Sequence, residues 1–178
     1  MQFSSDPIIK SLKYNALTFD QLRDMVGPTE SKQCRWILYD DLARFKSLEQ
    51  VLELGACVIL LQIETPRAPK VGHFIVLLDH GNHYEHFDSY GLSIDQELEF
   101  TKEHHLTKLF SMTHKRIVNN TMRLQTFRED TNTCGRWVVA RFLLRKLELD
   151  QFIHLIKYFI REPDDLVAIM TMLLPFKK

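Results

Sequence analysis

Apolar positions along this chain follow two rhythms, and the change between them marks its middle third. Ala56-Cys57-Val58-Ile59-Leu60-Leu61-Gln62-Ile63 is a nearly unbroken apolar run, too short for a buried helix and right for a buried strand. His73 to Asp79 and His83 to Asp88 read as two further strands, with a Gly81-Asn82 turn signal between them. Arg116-Ile117-Val118 is a short strand candidate. Thr65 to Pro69 carries two prolines and reads as a loop.

Helical signals lie on either side. Thr18 and Gln21 have capping-box spacing ahead of Leu22 and Met25, so a first helix begins at Thr18 and stops at Gly27-Pro28. Ser47 and Gln50 repeat that spacing, and Gly55 is a natural stop, which predicts a helix from Ser47 to Leu54. The segment from Ile94 to Met112 reads as a partly exposed helix. Cys134 to Glu148 is strongly apolar and predicts a buried one, with Trp137 and the residues after it in the core. Two helices follow, near Asp150 to Ile160 and Pro163 to Leu174, the last opening on Pro163, Asp164 and Asp165. Helices, a central meander, then helices is an α+β order rather than a repeated βαβ alternation.

Composition narrows the function classes. The 178 residues are 45% hydrophobic, enough for one domain spanning 1–178 with a real core. Lysine plus arginine and aspartate plus glutamate both number 23, so no global basic field points to nucleic acid. Arg116, Arg123, Arg128 and Arg136 read as ordinary surface charge, although together they would make a basic rim. No apolar run approaches a membrane span, and the N-terminal residues do not read as a secretory signal, so an intracellular protein is expected. Cys34, Cys57 and Cys134 are an odd number with no CxxC, which argues against a disulfide scaffold. Cys57 and Cys34 read as small buried hydrophobes.

Cys134 is different. It stands where a polar loop meets the apolar helix, with Asn132 or Thr133 placed to cap. A thiol there faces unpaired backbone N–H groups and the positive end of the helix dipole, which favour the reactive thiolate. The N–H groups of Cys134 and Gly135 are also placed to hold an oxyanion. A cysteine nucleophile needs a base and a group that orients the base. His73 and Asp88 meet that need through hairpin geometry. A His80-Gly81 loop puts His73 opposite Asp88, and a Gly81-Asn82 loop puts Ile75 there instead. Either register leaves the two within about one diagonal step, on the order of 5–8 Å between side-chain bases. Gln125 is a candidate amide donor to the oxyanion. Gly135, having no side chain, would let substrate approach the helix start.

His80, His83 and His86 invite a metal reading. On a regular strand His80 and His86 share one face and His83 takes the other. They are therefore read as solvent-facing imidazoles near a hairpin tip, with no metal site expected. His104 and His105 read as a solvated helix end.

Gly72-His73-Phe74, Phe87-Asp88-Ser89-Tyr90-Gly91, Gln125 and Thr133-Cys134-Gly135, in that order, resemble the adenovirus-type (adenain-like) cysteine proteases. That superfamily also contains the ubiquitin-like-protein-specific proteases. The resemblance covers roughly Ala56 to Leu147. It implies a papain-like α+β fold: a central mixed sheet packed by the helix that carries the nucleophile, with flanking helices. It further implies a thiol endopeptidase with Cys134, His73, Asp88 and Gln125 as catalytic residues and Gly72 and Gly135 near substrate. Its substrates would be viral capsid or core precursor proteins, cut during virion maturation. No cofactor is required on this reading, although some members use an activating peptide or DNA. A monomer acting inside the host cell is expected. The family's glutamine stands closer to its cysteine than Gln125 stands to Cys134. Either the 128–131 loop carries an insertion or Asn132 takes the role. Two other readings stay open: a protease that removes ubiquitin-like modifiers, and a non-catalytic binding protein on the same scaffold.

Overall fold

The computed structural model describes residues 6–65, 68–98, 103–128, 130–159 and 162–174. The side chains of 63–71 and of Phe159 lie outside that description. Five strands form one mixed sheet in sequence order: β1 (Arg35–Leu38), β2 (Ala56–Thr65), β3 (Ala68–Asp79), β4 (His83–Asp88) and β5 (Arg116–Asn119). β2, β3 and β4 make the expected antiparallel meander, while β1 and β5 join its edges in parallel. The sheet is thus mixed, and the fold is α+β.

Apolar residues cover both faces of the sheet, so β2 at its centre reads as a nearly continuous apolar run. On one face Ala56, Val58, Phe74, Val76, Leu78 and Phe87 pack with α2 (Phe19–Val26), α6 (Cys134–Leu143), α7 (Leu149–Phe159) and α8 (Pro163–Met172). On the other, Cys57, Ile59, Leu61, Ile75, Leu77 and Tyr84 pack with α4 (Leu48–Val51), α5 (His105–Ser111) and a 3-10 turn at Tyr39–Arg44. Cys34 and Cys57 are buried among these side chains, and Trp137 is fully enclosed.

Several local signals act as read. Thr18 caps α2 through a reciprocal box with Gln21. Gly27 and Gly55 close their helices with positive φ. The second box does not form: Gln50 accepts from the Lys46 N–H at 2.9 Å, and α4 lasts one turn before Gly55. The 94–112 helix is shorter than expected. A 3-10 turn occupies Gln96–Leu98 and α5 begins at His105, while residues 99–102 lie outside the described set. Part of the 65–69 loop belongs to strands β2 and β3. Helices α1 (Pro7–Tyr14) and α3 (Pro28–Ser31) and strand β1 were not expected.

Two charge assignments are overturned. Arg136 is not a surface residue: it is buried, donating to the Leu12 carbonyl at 3.0 Å and the Thr171 hydroxyl at 2.8 Å. His83 and His86 are not solvent-facing, since each is 2% exposed. The alternation argument assumed one polar face, whereas both faces of this sheet are covered. Among the described residues no helix is long and apolar enough to cross a membrane.

Candidate active site

β3 outruns β4. The β3–β4 register begins at Ile75 opposite Asp88, so the hairpin follows the Gly81-Asn82 loop and His73 lies just past the end of its neighbour. Asp88 still reaches it on the diagonal, with Oδ2 3.1 Å from His73 Nε2. Its other oxygen, Oδ1, accepts from the Tyr90 N–H at 2.6 Å, and the backbone carbonyl of Asp88 accepts from the Asn120 side chain at 2.6 Å. Asp88 is therefore fixed at three points. Both His73 and Asp88 are buried, at 4% and 2% exposure.

Cys134 opens α6 and is the one half-buried thiol among three free cysteines. It lies close enough to His73 to act on the ring both as hydrogen-bond partner and as charge. Nε2 is committed to Asp88, so Nδ1 is the nitrogen left for the thiol. Burial works against the imidazolium, but the hydrogen bonds and charges of Asp88 and Cys134 outweigh it and hold the His73 pKa well above its usual value. Tyr90 stacks on the ring, with centroids 4.9 Å apart and planes 20° from parallel, which restrains its rotation. The other thiols lack such an environment. Burial pushes the Cys34 pKa up to about 12 and the Cys57 pKa well above its ordinary value, so both stay protonated and inert.

No side chain caps α6, and the N–H groups of its first turn stay open to an anion. The expected caps are engaged elsewhere. Asn132 donates from Nδ2 to the Tyr14 carbonyl at 2.6 Å, and its own N–H donates to the Lys13 carbonyl. The Thr133 hydroxyl donates to Asp164. Asp164 also accepts from Trp137 Nε1 at 3.2 Å and from the Thr126 N–H at 2.8 Å. One buried carboxylate from α8 thus fastens the nucleophile helix to the loop that carries Gln125.

Gln125 is 1% exposed and central to a network. Its Oε1 accepts from the Ser89 hydroxyl at 2.8 Å, while Nε2 donates to the Tyr90 hydroxyl at 3.0 Å and the Thr131 carbonyl at 3.3 Å. Both amide protons are occupied in the free protein, so donation to an oxyanion requires one of these bonds to be exchanged. The Ser89 carbonyl accepts from the N–H groups of Leu124 and Gln125, which joins the end of β4 to that loop. Gly91 makes this docking possible. Its φ is +72°, and a Cβ there would lie 2.7 Å from the Met122 backbone.

The two glycines assigned to substrate differ. Gly72 is exposed beside His73. Gly135 is buried, and a Cβ there would meet Leu22, Leu17 and Phe74 at 3.1–3.5 Å. Its missing side chain lets α6 settle on the core, so only its N–H faces the site chemistry.

Glu97 was not anticipated. Its Oε1 lies 3.5 Å from His73 Nε2, its side chain is 10% exposed, and Oε2 has no partner. Burial above all, with Asp88 nearby, pushes its pKa up to about 7 against the pull of His73. His73, Asp88 and Glu97 form one group of metal-competent side chains among the described residues, and His80, His83 and Glu148 form another. In the first, the imidazole nitrogen is already held by Asp88. Tyr90 stood within the quoted motif, whereas Glu97 had no signal and Asp164 had only that of a helix start. Glu97 fell in a segment read as an exposed helix, and Asp164 lies 30 positions beyond Cys134.

A carboxylate-held imidazole, a thiol at an open helix N-terminus and a buried amide are groups that can support a thiol nucleophile, and the fold is one found in a solved protease. Two crystal structures of the ASFV pS273R protease superpose with TM-scores of 0.50 and 0.54, each covering 95% of this chain and 70% of the other at 14% identity. By sequence, the uncharacterized protein V9 of the Sputnik virophage is 28% identical over 180 residues, covering 92% of this chain and all of V9. No family model matches the sequence. The chain thus has the fold of the pS273R protease and a virophage protein as a full-length relative.

Proposed function

We propose that this chain is a cysteine endopeptidase that processes precursor proteins of a virus or virophage inside the host cell. The observation that carries this reading is the placement of Cys134, at the uncapped start of a buried helix and beside an imidazole whose far nitrogen is held by a buried carboxylate. The protease fold and the virophage relative support it.

In the proposed reaction, the Cys134 thiolate attacks the scissile carbonyl carbon. The N–H groups of Cys134 and Gly135 take up the charge on oxygen, and Gln125 joins them once its amide turns from Tyr90 or Thr131. Collapse of the tetrahedral species expels the amine, which takes its proton from the His73 imidazolium. His73, now neutral, draws a proton from water as that water attacks the thioester. The second collapse releases the carboxylate product and restores thiolate and imidazolium. Asp88 and Tyr90 keep the ring in register through both halves.

The pH dependence of iodoacetamide labelling at each cysteine, read by peptide mass spectrometry, tests the reading. Cys134 should label rapidly below pH 7, His73→Ala should slow it, and Cys34 and Cys57 should stay unlabelled in the folded protein. Equally slow labelling at all three would favour a binding protein on a protease scaffold. Cleavage of a diglycine-tailed ubiquitin-like probe would instead place the substrate among modifier conjugates.

A further inference from the structure

The β3–β4 hairpin carries a second cluster at the end opposite His73. His80 lies in the turn rather than in either strand, and is therefore freed from strand alternation. Its ring stacks on His83 with centroids 4.6 Å apart and planes 4° from parallel. Glu148, beside the start of α7, brings its Oε2 to 3.5 Å from His83 Nε2. One ligand atom from each of the three lies within 4.8 Å of the other two.

The hydrogen bonds around these rings set their tautomers. His83 Nδ1 lies 2.6 Å from the Asn82 side-chain oxygen, an acceptor, so Nδ1 carries the proton. Nε2 then presents a lone pair, and it is buried without a hydrogen-bond partner. His80 Nε2 lies 3.1 Å from Glu85 Oε2, so its proton sits there and Nδ1 holds the lone pair. Glu85 is in turn gripped by Arg141 through two bonds of 2.6 Å, with both side chains fully buried. Imidazoles that ligate a metal are oriented in this way, each donating its other N–H to an outer carboxylate or carbonyl.

The result is a buried lone pair on His83 facing a carboxylate, an arrangement that repels unless a cation lies between. Two ligands on a tetrahedral zinc stand about 3.3 Å apart, close to the His83–Glu148 separation. We propose that His80, His83 and Glu148 bind a divalent transition metal of the zinc type, tying the hairpin tip to the α6–α7 turn. The three ligand atoms are spread slightly wider than a bound set. Glu148, whose side chain is 58% exposed, is free to close on the ion. Arg116, on the neighbouring strand, is the opposing cation. A water completes the four-coordinate shell, and the site plays no part in peptide hydrolysis.

The test uses the full chain carrying Cys134→Ala, which removes the thiol from competition. The metal-free protein is titrated with zinc chloride against a chromogenic chelator, and thermal unfolding is followed in parallel. The expected result is one zinc per chain and a Tm that climbs with zinc concentration. Glu148→Gln and Asn82→Ala, both at exposed positions that leave the fold alone, should weaken binding about 10–100-fold. His83→Gln should abolish it. No binding by the parent, or binding unchanged in Glu148→Gln and Asn82→Ala, overturns the proposal. Binding lost only on His73→Ala would assign the ion to the other cluster and equally overturn it.

Discussion

Asp88 stands opposite Ile75 in the hairpin, yet its carboxylate holds His73, two residues earlier in β3. The pair is diagonal because β4 ends at Asp88 while β3 continues. The imidazole therefore sits at the open end of the hairpin, where the start of α6 can reach it from the other layer. A directly opposed pair would have kept the ring between two strands.

Asp88→Asn tests that diagonal bond. An amide keeps the shape but lacks the charge that supports the imidazolium and can favour the wrong tautomer. We expect kcat to fall by roughly 10²–10⁴-fold, with a lower Tm near neutral pH as the imidazolium loses its partner, measured by peptide cleavage and thermal unfolding. An unchanged kcat would remove Asp88 from the mechanism.

Tyr90 and Gln125 separate two roles for the buried amide. If Gln125 donates to the oxyanion, Gln125→Ala should cost about 10²–10³-fold in kcat, and Tyr90→Phe, which only releases one amide proton, should cost far less. Equal losses in the two variants would make Gln125 a positioning residue that holds the Tyr90 ring on His73.

Asp164 should prove a stability residue with a catalytic consequence. Asp164→Ala strands Thr133, Trp137 and the Thr126 N–H, all partners of one carboxylate. A loss of about 3 kcal/mol is expected, or roughly 6–12 °C in Tm for a chain of this length. Iodoacetamide labelling of Cys134 below pH 7 should also slow as the helix start loosens.

Glu97 and His73 both make stability fall as pH rises, in different windows. The Glu97 carboxyl is neutral-favouring in the fold, with a pKa raised from 4.5 to about 7. The stability that follows is complete below about pH 4.5 and is lost as pH rises toward 7. Glu97→Gln should remove that loss, worth on the order of 3 kcal/mol in urea unfolding compared at pH 4.5 and 7.5. His73 has its pKa raised above 6.5 through Asp88 and Cys134. Its contribution is full below pH 6.5 and disappears only as pH climbs through the higher folded value. Asp88→Asn should bring that decline to lower pH.

Much of this was legible in the chain. The Gly81-Asn82 turn and the strand runs predicted the hairpin, and hairpin arithmetic brought His73 to Asp88 in either register. The loop-to-helix transition at Thr133 placed Cys134 at a helix start. What stayed hidden depended on groups remote in sequence. Arg136 reads as surface charge until Leu12 and Thr171 close over it, and β1 carries no clear strand signal until it pairs with β2. His80 escaped because a turn residue does not obey strand alternation.

Local sequence determined most of the strands and helices, and which side chains could carry nucleophile, base and acid, because backbone period, turn chemistry and capping act over a few residues. Tertiary structure alone decided how those groups meet. It chose the hairpin register, let β3 run past β4, brought α6 to the exposed ring, and turned Asn132 and Thr133 from helix caps into anchors on Tyr14 and Asp164. The physical reason is burial: once both faces of the sheet were covered, most enclosed polar groups had to find partners, and those partners came from distant parts of the chain.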